Sequence, residues 1–255
     1  MRINWRIIFP LLMIGLVLMA CSRGAVKEQL PPYEQYQKAM NYYQHEDYLK
    51  AQNEFQRLIY SYPGQSFVDT AQYYLAMTYF DIGSYPEAIG EFKRLLQAYP
   101  TSAFADDSQY RVAMAHYEES PRYALDQTET YAAIDEFSVL LDRFPGSSYA
   151  DGAREKLEEL YDKLAKKMFK SGELYMKLND YSPALIYFEQ IRDNYPSTEW
   201  AAMAFYYTGE AQLKQGRKSD ALETFQNFVI AFPEHKLTKK AQKQISKLAP
   251  QETGG

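Results

Sequence analysis

One spacing of residues occurs five times along this chain. An alanine is followed four residues later by a phenylalanine, and eight residues further on by a proline that follows an aromatic residue. The alanines are Ala51, Ala88, Ala133, Ala184 and Ala221. The phenylalanines are Phe55, Phe92, Phe137, Phe188 and Phe225, and the prolines are Pro63, Pro100, Pro145, Pro196 and Pro233. A small residue lies twelve places before each alanine, or twenty places in the third copy: Ala39, Ala76, Ala113, Gly172 and Gly209.

Each copy of this spacing predicts a pair of helices. The two small residues allow a first and a second helix to approach closely, and the phenylalanine fills the space beneath them. The proline then ends the second helix, because it lacks an N–H group and its ring clashes with the preceding turn. One such pair cannot bury its apolar face alone, so the five copies should stack around a continuous core.

The spacing resembles the tetratricopeptide repeat, whose A…A-x3-F-x7-P skeleton is matched in all five copies. The tryptophan of the longer family pattern is absent, and the prolines lie 37, 45, 51 and 37 residues apart, against about 34 in the family. The resemblance implies an all-α fold in which five helix pairs stack in a right-handed superhelix, an α-solenoid with a long concave surface.

The extra residues fall in two places. The segment SPRYALDQTET at 120–130 should interrupt the third repeat as a loop. Residues 149–178 can run as one long helix, whose start serves repeat three and whose end opens repeat four. That helix would join a front half, residues 32–165 with repeats one to three, to a back half, residues 166–249 with repeats four and five and a capping helix.

The amino terminus has the features of a secretory signal peptide over residues 1–20. Arg2 and Arg6 precede an apolar run that ends at Ala20, directly before Cys21. At about 20 residues per crossing, the run is too short to span a membrane comfortably.

The residues LMAC at 18–21 resemble the lipobox of bacterial lipoproteins. The resemblance implies that Cys21 becomes the palmitate-bearing first residue of the mature chain, with residues 21–31 as a lipid-anchored linker. Ser22 after the cysteine implies sorting to the outer membrane rather than retention at the inner one. An ordinary cleaved signal with an incidental cysteine is the alternative.

Composition argues against several classes of function. A net charge of -5 provides no basic field for phosphates, so a nucleic-acid partner is not expected. Cys21 is the sole cysteine, which excludes an intramolecular disulfide and a multi-cysteine metal site.

No catalytic motif stands out in the sequence. It contains no glycine-rich phosphate loop, paired-histidine motif or nucleophile elbow. His45, His116 and His235 fall at unrelated offsets in different repeats. We therefore expect no catalytic residues, metal site or cofactor, and interpret the chain as an interaction scaffold or as the accessory of an enzyme on another chain.

The lipobox, the five repeats and the two insertions together resemble the BamD family, the lipoproteins of the outer-membrane β-barrel assembly machinery. The resemblance extends from PPYEQYQKAM at residue 31 to FPEHKL at residue 237. It implies a location at the periplasmic face of the outer membrane and binding to a BamA-like barrel subunit, other assembly lipoproteins and unfolded outer-membrane proteins. The alternative is another periplasm-facing repeat lipoprotein that recruits pilus-assembly or cell-wall enzymes.

The repeat alignment predicts a peptide-binding groove in the front half. Three places on the first helix of each repeat, at i, i+4 and i+7, form one stripe of the helix. In this repeat family the stripe usually lines the concave surface. Repeats one to three place aromatic residues at the outer two positions and methionine between them: Tyr36, Met40, Tyr43, Tyr73, Met77, Phe80, Tyr110, Met114 and Tyr117. We call these nine residues the groove stripe; packing between neighbouring repeats is the alternative role for its rings.

The back half replaces this pattern with charge. Glu173, Lys177, Glu210 and Lys214 take matching places in repeats four and five, which predicts a surface for a folded partner domain. A charged, solvated groove is the alternative.

The carboxyl end predicts one more helix. Residues 236–248 combine five lysines with apolar residues at helical spacing, which indicates a helix that caps repeat five. Its lysine-rich edge could also dock an acidic partner. Residues 250–255 are expected to be a disordered tail.

Overall fold

The computed structural model describes residues 30–249. Within that range the chain forms eleven α-helices and no β-strand. They are α1 (Pro32–Gln44), α2 (Tyr48–Ser61), α3 (Val68–Asp81), α4 (Tyr85–Ala98), α5 (Ala105–Glu119), α6 (Thr128–Arg143), α7 (Ala150–Lys177), α8 (Tyr181–Asn194), α9 (Glu199–Lys214), α10 (Lys218–Ala231) and α11 (Thr238–Leu248). The predicted signal peptide, Cys21, most of the linker and the carboxyl tail lie outside the described residues.

The helices form five pairs, which confirms the predicted all-α solenoid. The pairs are α1 with α2, α3 with α4, α5 with α6, the end of α7 with α8, and α9 with α10. In four pairs the connecting turn has a residue with positive φ seven places after the small residue: Glu46, Gly83, Asn179 and Gly216. This left-handed residue reverses the chain within a few residues, because it ends the first helix sharply.

Five hydrophobic cores follow one another along the chain, and each is completed by the next helix pair. Ala71 and Leu75 of α3 belong to the first core with Phe55, and Val112 of α5 closes the second. The last core is closed by Leu237 and Ala241. Helix α11 thus supplies the apolar face that a sixth repeat would otherwise provide, at the place where the sequence predicts a capping helix.

The residues of the repeated spacing lie at the centre of these cores. All five alanines and all five phenylalanines of the spacing have no exposed surface. Gly172 and Gly209 are buried where a phenylalanine approaches most closely: an added Cβ would lie 2.6 Å from Cε1 of Phe188 at the first and 2.7 Å from Cε1 of Phe225 at the second. Two repeats thus require glycine where the others accommodate alanine.

The two predicted insertions are also present. Residues 120–127 form the loop between α5 and α6. This loop is three residues shorter than the predicted loop at 120–130, because helix α6 already begins at Thr128. Helix α7 is continuous over 28 residues. Its first part, with Leu157 and Leu160, belongs to the third core, and its last part, with Phe169, belongs to the fourth.

Within residues 30–249, no helix combines the length and the apolar character needed to span a membrane.

The contact between Gly172 and Phe188 generates a stability prediction. Gly172→Ala should destabilise the protein by about 1–3 kcal/mol, since the new methyl group must displace a buried ring. Gly90 is the matched control: it lies within α4, and an added Cβ there meets nothing within 4 Å. Gly90→Ala should stabilise by up to about 1 kcal/mol through helix propensity. Urea denaturation of both variants checks this, and equal shifts in the same direction would contradict it.

Candidate functional site

The groove stripe lies on three neighbouring first helices, α1, α3 and α5. Its members differ in exposure: Tyr73 and Met77 are buried, and the other seven are half-buried. The three places of the stripe therefore have different surroundings.

The first place of the stripe holds a tyrosine that packs against the following repeat. In each case its ring lies against an aromatic residue at the N-cap of the next first helix. The ring pairs are Tyr36 with Phe67 at 5.3 Å, Tyr73 with Phe104 at 4.5 Å and Tyr110 with Tyr149 at 4.7 Å between centroids. Repeat four continues the series, with Phe169 and Trp200 at 5.3 Å. These rings join adjacent repeats, as the alternative packing role requires.

The methionines at the second place are not equivalent. Met77 is only 8% exposed and belongs to the second core, whereas Met40 and Met114 are half-buried. Met40 and Met114 can therefore contact a ligand without rearrangement. Met77 packs in the core beneath them.

The rings at the third place, Tyr43, Phe80 and Tyr117, are half-buried beside charged groups of the next first helix. The guanidinium of Arg111 lies 5.6 Å from the centre of the Phe80 ring. The ammonium of Lys156 lies 4.7 Å from the centre of the Tyr117 ring. Such cations are attracted to the electron-rich ring faces. Phe80 and Tyr117 thus lie beside positive charges, whereas Tyr43 lies beside the carboxylate of Asp81.

Tyrosine hydroxyls also join successive first helices through carboxylates. Tyr43 donates to Oδ2 of Asp81 at 2.7 Å, and Tyr73 donates to Oδ2 of Asp107 at 2.5 Å. Tyr117 donates to Glu159 in the same manner. Burial, together with the hydrogen bond to Asp107, raises the pKa of Tyr73 well above its ordinary value. The phenol therefore stays protonated and keeps donating at every physiological pH.

A second set of polar contacts was not predicted from the sequence. In repeats one to three, a buried glutamine of the first helix donates from Nε2 to a glutamate of the second helix. The pairs are Gln35 with Glu54, Gln72 with Glu91 at 2.7 Å and Gln109 with Glu136 at 2.7 Å. The signal was present in the repeat alignment, because each glutamine lies four places before the small residue and each glutamate three places after the alanine.

Repeats four and five lack these pairs. The corresponding positions hold Met168 with Tyr187 and Phe205 with Thr224. Arg192 stacks on the Phe205 ring, 4.2 Å from its centre. The front and back halves therefore differ inside the helix pairs as well as on their surfaces.

The four charged residues predicted as a partner-binding surface lie on α7 and α9. Oε2 of Glu173 lies 3.0 Å from Nζ of Lys170 and 3.7 Å from Nζ of Lys177. The hydrogen bond from Lys170 lowers the pKa of Glu173. Glu210 accepts from Tyr206 at 2.9 Å and from Gln244 at 2.8 Å. The structure thus brings Glu173 and Lys177 together and ties Glu210 to α11, while Lys177 and Lys214 remain exposed.

The described residues contain no group of three or more His, Cys, Asp or Glu side chains placed to hold a metal ion. The surface clefts are open to solvent; one of about 520 Å³ with a mostly polar lining lies between Glu158 of α7 and the turn before α9, at Ser197–Glu199. The extended first-helix surfaces are therefore the candidate site, and they are suited to macromolecular partners.

Comparison with known proteins matches the chain to a family of outer membrane lipoproteins. The family described as YfiO, outer membrane lipoprotein, matches residues 28–220. A search of curated proteins gives no match.

Solved structures with a similar arrangement include tetratricopeptide-repeat proteins. The TPR repeats protein BF2334 of Bacteroides fragilis NCTC 9343 has 14% identity, covers 86% of this chain and 100% of its own, and gives a TM-score of 0.49. The TPR2AB domain of yeast Sti1 in its pHSP90 complex has 12% identity, coverage of 85% and 82%, and a TM-score of 0.44. A tetratricopeptide repeat protein of Parabacteroides merdae ATCC 43184 has 14% identity, coverage of 85% and 73%, and a TM-score of 0.37.

The bond between Tyr73 and Asp107 generates a prediction about stability. Tyr73→Phe keeps the ring stacked on Phe104 but removes the donor, so the free energy of unfolding should fall by about 1–3 kcal/mol, as for hydrogen bonds to charged groups. Tyr33, 60% exposed, provides the control. Tyr33→Phe should change stability by less than about 0.5 kcal/mol. Chemical denaturation measures both, and a neutral Tyr73→Phe would show that the bond does not join the repeats.

Glu54 generates a prediction about pH. Burial opposes its ionisation, but hydrogen bonds from Lys38 and Gln35 outweigh burial and leave the pKa of Glu54 below its ordinary value. A lowered folded-state pKa stabilises the protein above the unfolded pKa of about 4.3, and this contribution is lost as pH falls through the folded pKa. Lys38→Met should therefore reduce stability at about pH 7 and much less at about pH 3.

Lys50 provides the control for this pH series, because its ion pair with Asp47 is exposed on both sides. Lys50→Met should cost little at any pH, as expected for a surface pair. Urea denaturation across the pH range measures both differences. A cost of Lys38→Met that does not change between pH extremes would contradict the assignment.

Proposed function

Since the chain belongs to the YfiO family of outer membrane lipoproteins, we propose that it is a non-catalytic scaffold of the machinery that assembles β-barrel proteins in the outer membrane. In this proposal, the front half, residues 32–165, receives unfolded outer-membrane proteins. The back half, residues 166–249, binds a BamA-like barrel subunit. Lipid on Cys21 holds the chain at the periplasmic face of the membrane, within about 40 Å for eleven extended residues of linker.

The observation that carries the substrate assignment is the accessible part of the groove stripe. Met40, Tyr43, Phe80, Met114 and Tyr117 are half-buried and lie on consecutive first helices. Thioethers and rings adapt to many apolar sequences. Unfolded barrel strands alternate apolar and polar residues and carry aromatic girdles. An extended strand could therefore place its apolar side chains on these residues in several registers.

Charged groups beside the rings suit the same ligand. Arg111 and Lys156 lie over the faces of Phe80 and Tyr117. Each also pairs with a carboxylate, Asp107 or Glu159, which occupies part of its N–H donors and leaves the rest at the edge of the stripe. An extended peptide has unpaired backbone carbonyls that need such donors. The surface thus offers apolar contact and backbone hydrogen bonds without requiring a particular sequence.

The back half supports a different kind of partner. Lys177 and Lys214 are exposed in the last turns of α7 and α9, in equivalent places of two successive repeats. Complementary charge of this kind orients a folded domain more than it holds a flexible chain. We assign this surface to the barrel subunit.

The substrate assignment predicts the effect of placing charge on the stripe. The double change Met40→Glu and Met114→Glu should reduce photo-crosslinking of an unfolded outer-membrane protein to a probe at Phe80 by roughly tenfold or more, because a carboxylate is poorly solvated against apolar segments. Met77 is left unchanged because a charge at this buried position would destabilise the repeat itself. Crosslinking is measured on the full chain in its membrane, and undiminished capture would overturn the assignment.

The control reverses charge in the back half. Lys177→Glu with Lys214→Glu should lower co-purification of the barrel subunit and leave substrate crosslinking at Phe80 unchanged. Loss of both activities in either variant would contradict the division of roles. Co-purification of a secretin or a peptidoglycan hydrolase in place of a barrel subunit would support the alternative scaffold instead.

A further inference from the structure

Helix α7 and its C-cap carry one stripe of residues spaced alternately three and four apart. Such spacing places all of them on one side of a helix. The stripe consists of Ala150, Ala153, Leu157, Leu160, Leu164, Lys167, Ser171, Leu174 and Leu178. We call it the α7 stripe.

The first five residues of the α7 stripe are buried. Ala153, Leu157 and Leu160 share the third core with Phe137 and Leu140 of α6. The preceding second helix, α6, therefore packs on this part of the stripe, as expected for a first helix of a repeat solenoid.

Other parts of the described chain cover the α7 stripe only as far as Lys167. The loop between α5 and α6 reaches this level, where Nζ of Lys167 donates to the carbonyl of Leu125 at 2.6 Å. Beyond it, Ser171 is half-buried, Leu174 is 55% exposed and Leu178 is 63% exposed. No helix of the described chain covers this end of the stripe.

This end of the α7 stripe is uncovered because repeat four is displaced along α7. Elsewhere the small residue of a first helix lies 13 residues after the preceding proline, as Ala76 does after Pro63. Gly172 lies 27 residues after Pro145. The additional 14 residues, 27 minus 13, are about four helical turns, or about 21 Å. As a result α6 packs beside the first half of α7 and α8 beside the second half, and each half lacks one neighbour.

Equivalent positions in other repeats show what is missing. Two places after the small residue, Thr78, Ala115 and Ala211 are buried, on the side of the first helix that faces the preceding second helix. The same place in repeat four is the exposed Leu174. A leucine thus stands where other repeats bury a smaller residue under a helix.

The other open face of α7 provides an internal comparison. On the first half of the helix, the side toward a following second helix carries Asp151, Arg154 and Glu158, all exposed. Charged residues are the usual covering of a helix face that stays in water. One uncovered face of α7 is therefore charged, whereas the other carries two exposed leucines. This difference indicates that a partner covers the leucines.

Charge beside the leucines identifies the kind of partner. Lys167, Lys170 and Lys177 flank this end of the stripe, and Glu173 is the carboxylate within 4 Å of two of them. Asp126 also lies near Lys167. Two lysines, Lys170 and Lys177, against the one carboxylate of Glu173 therefore remain to favour an acidic ligand. The open end of the stripe, from Ser171 to Leu178, is about two helical turns or 12 Å long, so it can contact about two turns of a partner helix.

We propose that an amphipathic α-helix of a partner protein packs on Ser171, Leu174 and Leu178, in the place of the missing second helix. Its apolar residues contact the two leucines, and acidic residues along one edge face Lys170 and Lys177. This mode is the docking of a helix into an apolar groove by residues spaced three and four apart. The proposal rests on the exposed leucines of α7. It shares Lys177 with the surface assigned to the barrel subunit, but it does not require that the partner be that subunit.

Photo-crosslinking on the full chain in its native membrane tests the proposal. A photoreactive residue at Leu174 or Leu178 should crosslink to a segment of another protein with apolar residues three and four apart and acidic residues beside them, mapped by mass spectrometry. The same probe at Glu158, on the charged open face, should give roughly a tenth of the yield or less. Crosslinks to residues 1–29 or 250–255, to a second copy of the chain or to lipid, equal yields at Glu158, or no crosslink would each overturn it.

A matched pair of variants separates binding from folding. Leu174→Ser with Leu178→Ser should reduce the crosslink from a probe at Ser171 by roughly tenfold or more, while the thermal unfolding midpoint of the isolated chain stays unchanged because both leucines are already exposed. An unchanged crosslink would overturn the proposal. A lower unfolding midpoint with an unchanged crosslink would show that the leucines serve the fold. The Met40→Glu and Met114→Glu variant should leave this crosslink intact, so failure of the proposed function and failure of this inference give different results.

Discussion

The close approach of two helices over a buried phenylalanine ring is the contact on which the whole solenoid depends. In each pair, the ring fills the space beneath a small residue of the first helix, and in repeats four and five only glycine fits at that place. The distance between the helices then determines where their remaining side chains lie. The groove stripe and the α7 stripe depend on that spacing, because both lie on first helices that pack against these rings.

The contacts between the two helices of a pair differ between the front and back halves of the solenoid. Repeats one to three place a Gln–Glu pair between their helices, and a buried polar pair is satisfied in one alignment only. Repeats four and five fill the same positions mostly with apolar side chains. The Gln–Glu pairs therefore fix how the two helices align in repeats one to three, and mostly apolar packing does so in repeats four and five.

Much of the fold could be predicted because the repeat supplies five observations of each position. Helix pairs, the loop in repeat three and the long α7 follow from where small residues, phenylalanines and prolines recur. The exposure of the candidate site residues was harder to predict, because it depends on the angle between neighbouring repeats. Tyr73 and Tyr110 were assigned to the groove from their register, yet their rings pack on Phe104 and Tyr149, which lie four places after the repeat prolines. The burial of Met77 beside the half-buried Met40 and Met114 has no counterpart in the residue pattern. Peptide binding to the remaining residues stays a prediction.

Completion of every core by the helix that follows it gives the chain a direction. During synthesis, the core of each repeat stays incomplete until the next first helix has been made, and the core of the fifth repeat stays incomplete until α11 has been made. The part of the described chain already made therefore has an uncovered apolar face at its growing end. Helix α11 covers the last of these faces and carries exposed lysines on its other side.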